Sequence, residues 1–134
     1  MTLAFRTRKL VKSEDLNGRG TLFGGRVLAW IDEECCIYCA CQMGTHNIVT
    51  KYISELNFVS AAYQNEVVEL GVETVAVGRT SLAVRCVVRN KDTQQPIVTV
   101  ERVVFVALDA AGHPANHALS DLADTARGAE RGAA

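Results

Sequence analysis

Long apolar runs are missing from this chain: 49% of its 134 residues are apolar, yet none of the runs approaches the about 20 residues that a membrane-spanning helix needs. An excess of either charge is missing too, since 14 basic residues stand against 15 acidic ones for a formal net charge of −1. That balance provides no general electrostatic footprint for nucleic acid or an anionic membrane, so neither is expected as a partner. The opening Met1-Thr2-Leu3-Ala4-Phe5-Arg6-Thr7-Arg8-Lys9 meets charge too early to hold the apolar region of a signal peptide, and a soluble, cytoplasmic protein is expected. Histidine is scarce: His46, His113 and His117 stand isolated, and the cysteines of the segment Cys35, Cys36, Cys39 and Cys41 have none at ligand spacing. No metal site is predicted. The odd total of five cysteines suits small buried hydrophobes in a reducing compartment, although Cys35 and Cys39 share a helix face. There is no internal repeat, and the length is that of one domain able to bury a core.

What the chain does contain is a glycine-punctuated run from Asn17 to Asp32 that opens into an apolar helix. Gly24 and Gly25 let a ligand approach the helix start, where unpaired N–H groups and the positive end of the dipole can stabilise an oxyanion, with the Gly25 N–H as candidate donor. The apolar residues from Val27 to Cys41 spread around the helical wheel, which predicts a buried helix. A carboxylate there, Asp32, is paired, desolvated or functional, and as a functional group it is a general base or a nucleophile. Glu33 and Glu34 point about 100° and 200° away and cannot share its task. Asp15 reads as a loop acid. Asn17 carries an amide able to polarise a carbonyl or orient water, and it also suits a plain Asn-Gly turn.

The periodicity predicts a first strand over Ala4–Val11, a polar loop over Ser13–Gly20, the helix from Gly24 or Gly25 to near Gly44, and a strand over Ile48–Phe58. Two further strands, Glu66–Val77 and Ser81–Asn90, flank the Gly78-Arg79-Thr80 turn, with Leu82, Val84, Cys86 and Val88 facing inward. A long fifth strand, Pro96–Leu108, is apolar on both faces near its end and is expected to be central. The sum is an α+β fold with an antiparallel sheet of about five strands around one long helix. Residues 1–114 form the domain in this reading, and 115–134 a tail with a short helix at Leu119–Ala126 before a frayed end.

The spacing from Asn17 to Asp32, with Leu22-Phe23-Gly24-Gly25 before the helix and Trp30-Ile31-Asp32 within it, resembles the hotdog-fold acyl-CoA thioesterases of the acyl-CoA hydrolase branch. Val49-Thr50 leading to Asn57-Phe58, and Gly78-Arg79-Thr80-Ser81 ahead of a strand, resemble the family's other recurrent stretches, so the likeness covers about residues 5 to 112. The resemblance implies a hotdog fold and hydrolysis of acyl-CoA to a free acid and CoA, with no cofactor beyond the coenzyme A of the substrate. It implies active-site roles for Asn17 and Asp32 and CoA contacts at Lys51 and Tyr52. Arg79, Thr80 and Ser81 supply a cation and two hydroxyls suited to the CoA phosphates. It also implies a homodimer, often assembled into a higher oligomer such as a trimer of dimers, with sites at the dimer interface. The step of seven positions from Gly25 to Asp32 separates them by about 10 Å along the helix, which favours a site shared between subunits.

The sequence departs from the family pattern at Ser60-Ala61-Ala62-Tyr63-Gln64-Asn65, where relatives commonly have Pro and then Gly-Asp, and at Ser54, where an acid is frequent. Pocket shape and acyl-chain preference therefore stay open. Two other readings use the same fold: a non-catalytic acyl-CoA-binding or sensing protein, and a dehydratase. Retention of Asn17 and Asp32 favours the hydrolase over the first, and the lack of a histidine in the helix disfavours the second.

Overall fold

The computed structural model describes residues 3–123. Strand β1 (Ala4–Leu10) leads through a 3-10 turn at Ser13–Asp15 to helix α1 (Gly24–Met43), followed by β2 (Ile48–Ile53), β3 (Asn57–Phe58), β4 (Val67–Val77), β5 (Ser81–Asn90) and β6 (Pro96–Ala107). The sheet is antiparallel in the order β1-β4-β5-β6-β2, with β3 also pairing to β6. With one long helix laid across it, this is the hotdog arrangement.

Glycine sets the helix end: Gly44 takes φ 70°, and its N–H and that of Thr45 both return to the Ala40 carbonyl at 3.0 and 3.3 Å. The helix start carries no capping side chain. Val27, Ile31, Cys35, Cys39 and Met43 recur at helical spacing and are buried against Leu70, Leu82, Val84, Val88, Val103 and Phe105 of the sheet. Strand β5 is buried on both faces, as Ala83 and Val87 are covered along with Leu82, Val84, Cys86 and Val88. On the outer face, Glu69 is only 4% exposed and accepts from Arg89 Nε at 2.8 Å. Burial raises its pKa, but the Arg89 hydrogen bond and charge outweigh that and hold the carboxyl below its usual range. The Arg89 guanidinium lies over the Phe5 ring, 3.5 Å from its centroid.

Several expectations are corrected. The helix is buried on one side only: Ile37 is 59% exposed and Leu28 and Cys41 are also exposed, because a single curved sheet covers one stripe of it. The expected Ile48–Phe58 strand is two strands, since Ser54-Glu55-Leu56 leaves the ladder before β3 rejoins β6. The middle strand is β5, with β6 one place nearer the β2 edge. Residues 115–123 are bonded to the body: Ala115 donates to the Ala107 carbonyl and Ala118 to that of Met43, and Ala123 is buried. The later part of the expected Leu119–Ala126 helix and the frayed end lie outside the described residues. Among those described, no helix is long and apolar enough to cross a membrane.

Ile31 is fully buried, and Ile31→Ala should lower the unfolding free energy in chemical denaturation by about 2–5 kcal/mol; a loss below about 1 kcal/mol would contradict this core. A hydrogen bond with Cys86 and burial push the Cys35 thiol up, and burial pushes Cys39 up to about 12. Since it is the thiolate that attacks thiol reagents, the buried Cys35, Cys39 and Cys86 should stay unmodified in the native protein at neutral pH and react once denaturant is added. Rapid native labelling of any of the three, located by mass spectrometry, would contradict it.

Candidate active site

The loop before α1 is built by its own polar side chains. Asp15, expected as an ordinary loop acid, is buried: its Oδ2 accepts from the Lys12 N–H at 2.9 Å and its Oδ1 lies 3.2 Å from Arg26 Nε in the first turn of α1. Its carbonyl also accepts from the Phe23 N–H at 2.8 Å. The loop is thereby tied to the helix entrance. Asn17 Oδ1 accepts from the Arg19 and Thr21 N–H groups at 2.9 and 3.2 Å, and its Nδ2 donates to Thr21 Oγ1 at 2.9 Å. The amide thus folds its own Asn-Gly turn while lining the space at the helix start.

That space is an open depression of about 440 Å³ lined by Asn17, Thr21, Gly24, Phe58, Val59 and Ser60, together with Leu22 and Ala61. A Cβ on Gly25 would meet the exposed Phe23 ring at 2.7 Å and push it aside, whereas one on Gly24 would only touch the Phe58 ring at 3.4 Å. The first N–H groups of α1 have no capping side chain, so they remain able to donate to a bound oxygen.

Asp32 lies about two turns further along and is half-buried rather than buried. Its Oδ1 accepts from the Thr50 hydroxyl at 2.8 Å, and no cation pairs with it among the described residues. Thr50 reaches it from β2, where a bulge intervenes: Thr50 pairs with Phe105 and Tyr52 with Val104, so Lys51 is the extra residue. The sequence reading missed Thr50 as a site residue, although the Val49-Thr50 stretch was the available signal. Asp32 does not line the depression at Asn17 and Gly24. One chain therefore brings Asn17 and the helix start together and leaves Asp32 with Thr50 in a separate group.

Lys51 and Tyr52 are exposed on the edge strand β2. Arg79, Thr80 and Ser81 lie at the β4–β5 turn, with Arg79 exposed. A Cβ on Gly78 would meet Ser81 Oγ and make that hydroxyl turn away. The Thr80 carbonyl accepts from the Ala107 N–H at 2.8 Å. Beyond Asp32 along α1, a second open space of about 500 Å³ is lined by Cys36, Ile37, Ala40, Cys41, Gly44 and neighbours. Burial, and then the nearby Asp32 charge, push the Cys36 thiol up. Among the described residues, no three His, Cys, Asp or Glu side chains are grouped to hold a metal ion.

Comparisons with known proteins place the same fold in a family. A hexameric acyl-CoA thioesterase solved without ligand is 29% identical over 94% of this chain and 87% of that one, with a TM-score of 0.74. An acyl-CoA hydrolase from Staphylococcus aureus, solved with butyryl coenzyme A, coenzyme A and coenzyme A disulfide, is 25% identical over 93% and 80%, with a TM-score of 0.75. A hexameric thioesterase from Yersinia pestis shares the fold, with a TM-score of 0.77 at 21% identity over 85% and 94%. No curated protein matches. The family model described as the Thioesterase superfamily matches residues 19–97, and the chain belongs to that superfamily.

Proposed function

We propose that this chain is an acyl-CoA thioesterase that hydrolyses acyl-CoA to a free carboxylic acid and coenzyme A. The observation that carries the reading is the Asp32 carboxylate, oriented by Thr50 at 2.8 Å and left without a cation partner among the described residues. A carboxylate so held keeps one oxygen for chemistry. As general base it takes a proton from water attacking the thioester carbon; as nucleophile it attacks that carbon itself, and water then cleaves the resulting anhydride. In either course the C–S bond breaks and the departing thiolate of coenzyme A takes a proton. The Gly25 N–H and the Asn17 amide polarise the carbonyl, the first aided by the helix dipole.

The separation of Asp32 from the Asn17 depression supports a site shared by two copies of the chain. Each pairs its own Asp32 with the helix entrance of the other. The exposed Leu28 and Ile37 on α1 and Val49 and Tyr52 on the β2 edge supply the apolar surface for a homodimer. The hexameric state of the solved relatives is consistent with dimers as the building unit. Lys51, Tyr52, Arg79, Thr80 and Ser81 are the proposed contacts to coenzyme A, which enters as part of the substrate and not as a cofactor.

A panel of acyl-CoA thioesters assayed by thiol release tests the reading. Turnover should be found and identify the preferred chain, and Asp32→Asn should lower kcat on it by about a hundredfold or more. Thr50→Val, which keeps the shape and removes the hydroxyl, should lower it about tenfold. Saturable coenzyme A binding without turnover on any thioester would favour the non-catalytic binder, and a folded Asp32→Asn protein with wild-type turnover would sink the assignment.

A further inference from the structure

The Gly78–Ser81 turn is held by a part of the chain to which the sequence assigns no role. His117 Nε2 lies 2.9 Å from the Gly78 carbonyl and 3.0 Å from that of Ser81. Carbonyls only accept, so Nε2 carries the proton and donates to both. The other ring nitrogen, Nδ1, accepts from the Leu119 N–H at 3.1 Å. The two sets of bonds lock the imidazole in one tautomer and orientation. Ser120 Oγ donates to the Arg79 carbonyl at 2.6 Å and itself accepts from the His117 N–H at 2.6 Å. Ser120 is only 7% exposed. With the Thr80 carbonyl taken by Ala107, all four carbonyls of the turn accept from donors outside it or, for Ser81, also from Gly78.

The clamp is anchored at both ends of its own segment. Ala115 donates to the last residue of β6, Ala107, at 2.9 Å, and Ala118 to Met43, the last residue of α1, at 3.0 Å. The turn is therefore fixed relative to the sheet and to the helix at once. Its carbonyl dipoles point at these donors, which keeps their negative ends occupied where an anion would otherwise meet them. Arg79 stays exposed on the solvent side.

We propose that His117 and Ser120 are positioning residues of the coenzyme A subsite, fixing the Gly78–Ser81 turn in the geometry in which Arg79, Thr80 and Ser81 meet the substrate's phosphates. The inference rests on the reading of that turn as the coenzyme A subsite. A preformed turn binds without first ordering itself, and loosening it costs affinity and not chemistry. The reacting carbon is held elsewhere, by Asp32 and the helix entrance. Loss of the clamp should therefore appear in KM and not in kcat.

The experiment compares two substrates with the same acyl group, an acyl-CoA and the corresponding acyl-pantetheine, which lacks the nucleotide and its phosphates. His117→Phe and Ser120→Ala should each raise KM for the acyl-CoA roughly fivefold to tenfold with kcat within about twofold. The kcat/KM for acyl-pantetheine should stay at the wild-type value. His117→Gln, whose amide can donate in place of Nε2, should recover most of the lost affinity. The paired change Arg79→Gln with Thr80→Val reports on the subsite alone. If it leaves the acyl-CoA KM unchanged, the subsite reading fails and the inference falls with it. If it raises KM while the His117 and Ser120 variants do not, the subsite stands and the clamp is overturned. Equal loss on both substrates, or a fall in kcat, would make His117 a plain structural residue and overturn the proposal as well. Should His117→Phe fail to fold, Ser120→Ala and His117→Gln carry the same comparison.

Discussion

The one-sided burial of α1 governs the rest of the molecule. Val27, Ile31, Cys35, Cys39 and Met43 form a stripe that the sheet covers completely or nearly so, and such a stripe fixes both the axis of the helix and its rotation about that axis. Once the rotation is fixed, Asp32 cannot face the core. It is carried to the flank, where β2 passes and Thr50 meets it. The same rotation leaves Leu28 and Ile37 uncovered. The proposed placement of Asp32 and the uncovered apolar faces of α1 thus follow from one packing constraint.

Much of this was legible in local sequence. The helix ends were marked by the Gly24-Gly25 pair and by Gly44, the last because a left-handed residue terminates a helix cheaply only as glycine. The alternation Leu82, Val84, Cys86, Val88 gave the inward face of β5 because pleating has period two. Long-range pairings were not legible. Nothing in the residues around Asp15 announces Arg26 as its partner, and nothing near His117 announces the Gly78 and Ser81 carbonyls. The helix read as buried because hydropathy on a wheel records which faces shun water and not which chain covers them. The break at Ser54-Glu55-Leu56 was hidden by strand-forming residues on either side.

Three tethers hold the pieces of the candidate site, and each uses a different chemistry. Asp15 and Arg26 fasten the Asn17 loop to the start of α1 by a partly buried ion pair. Thr50 fastens Asp32 to the sheet edge by a charge-assisted hydrogen bond. The 115–123 segment fastens the β4–β5 turn to the helix end by neutral hydrogen bonds. All three converge on α1, so the helix positions groups that never touch one another within one chain. What it does not do is bring Asn17 to Asp32.

The central claim is that an acyl-CoA-hydrolysing site is completed across two chains, and subunit mixing tests it most directly. Asn17→Ala and Asp32→Asn proteins, each inactive alone, are unfolded or exchanged together and the heterodimers verified by differential tags. In a statistical mixture of dimers half the molecules are heterodimers, each with one doubly damaged site and one intact site, so about a quarter of wild-type activity should return. Verified heterodimers that remain inactive would contradict the account.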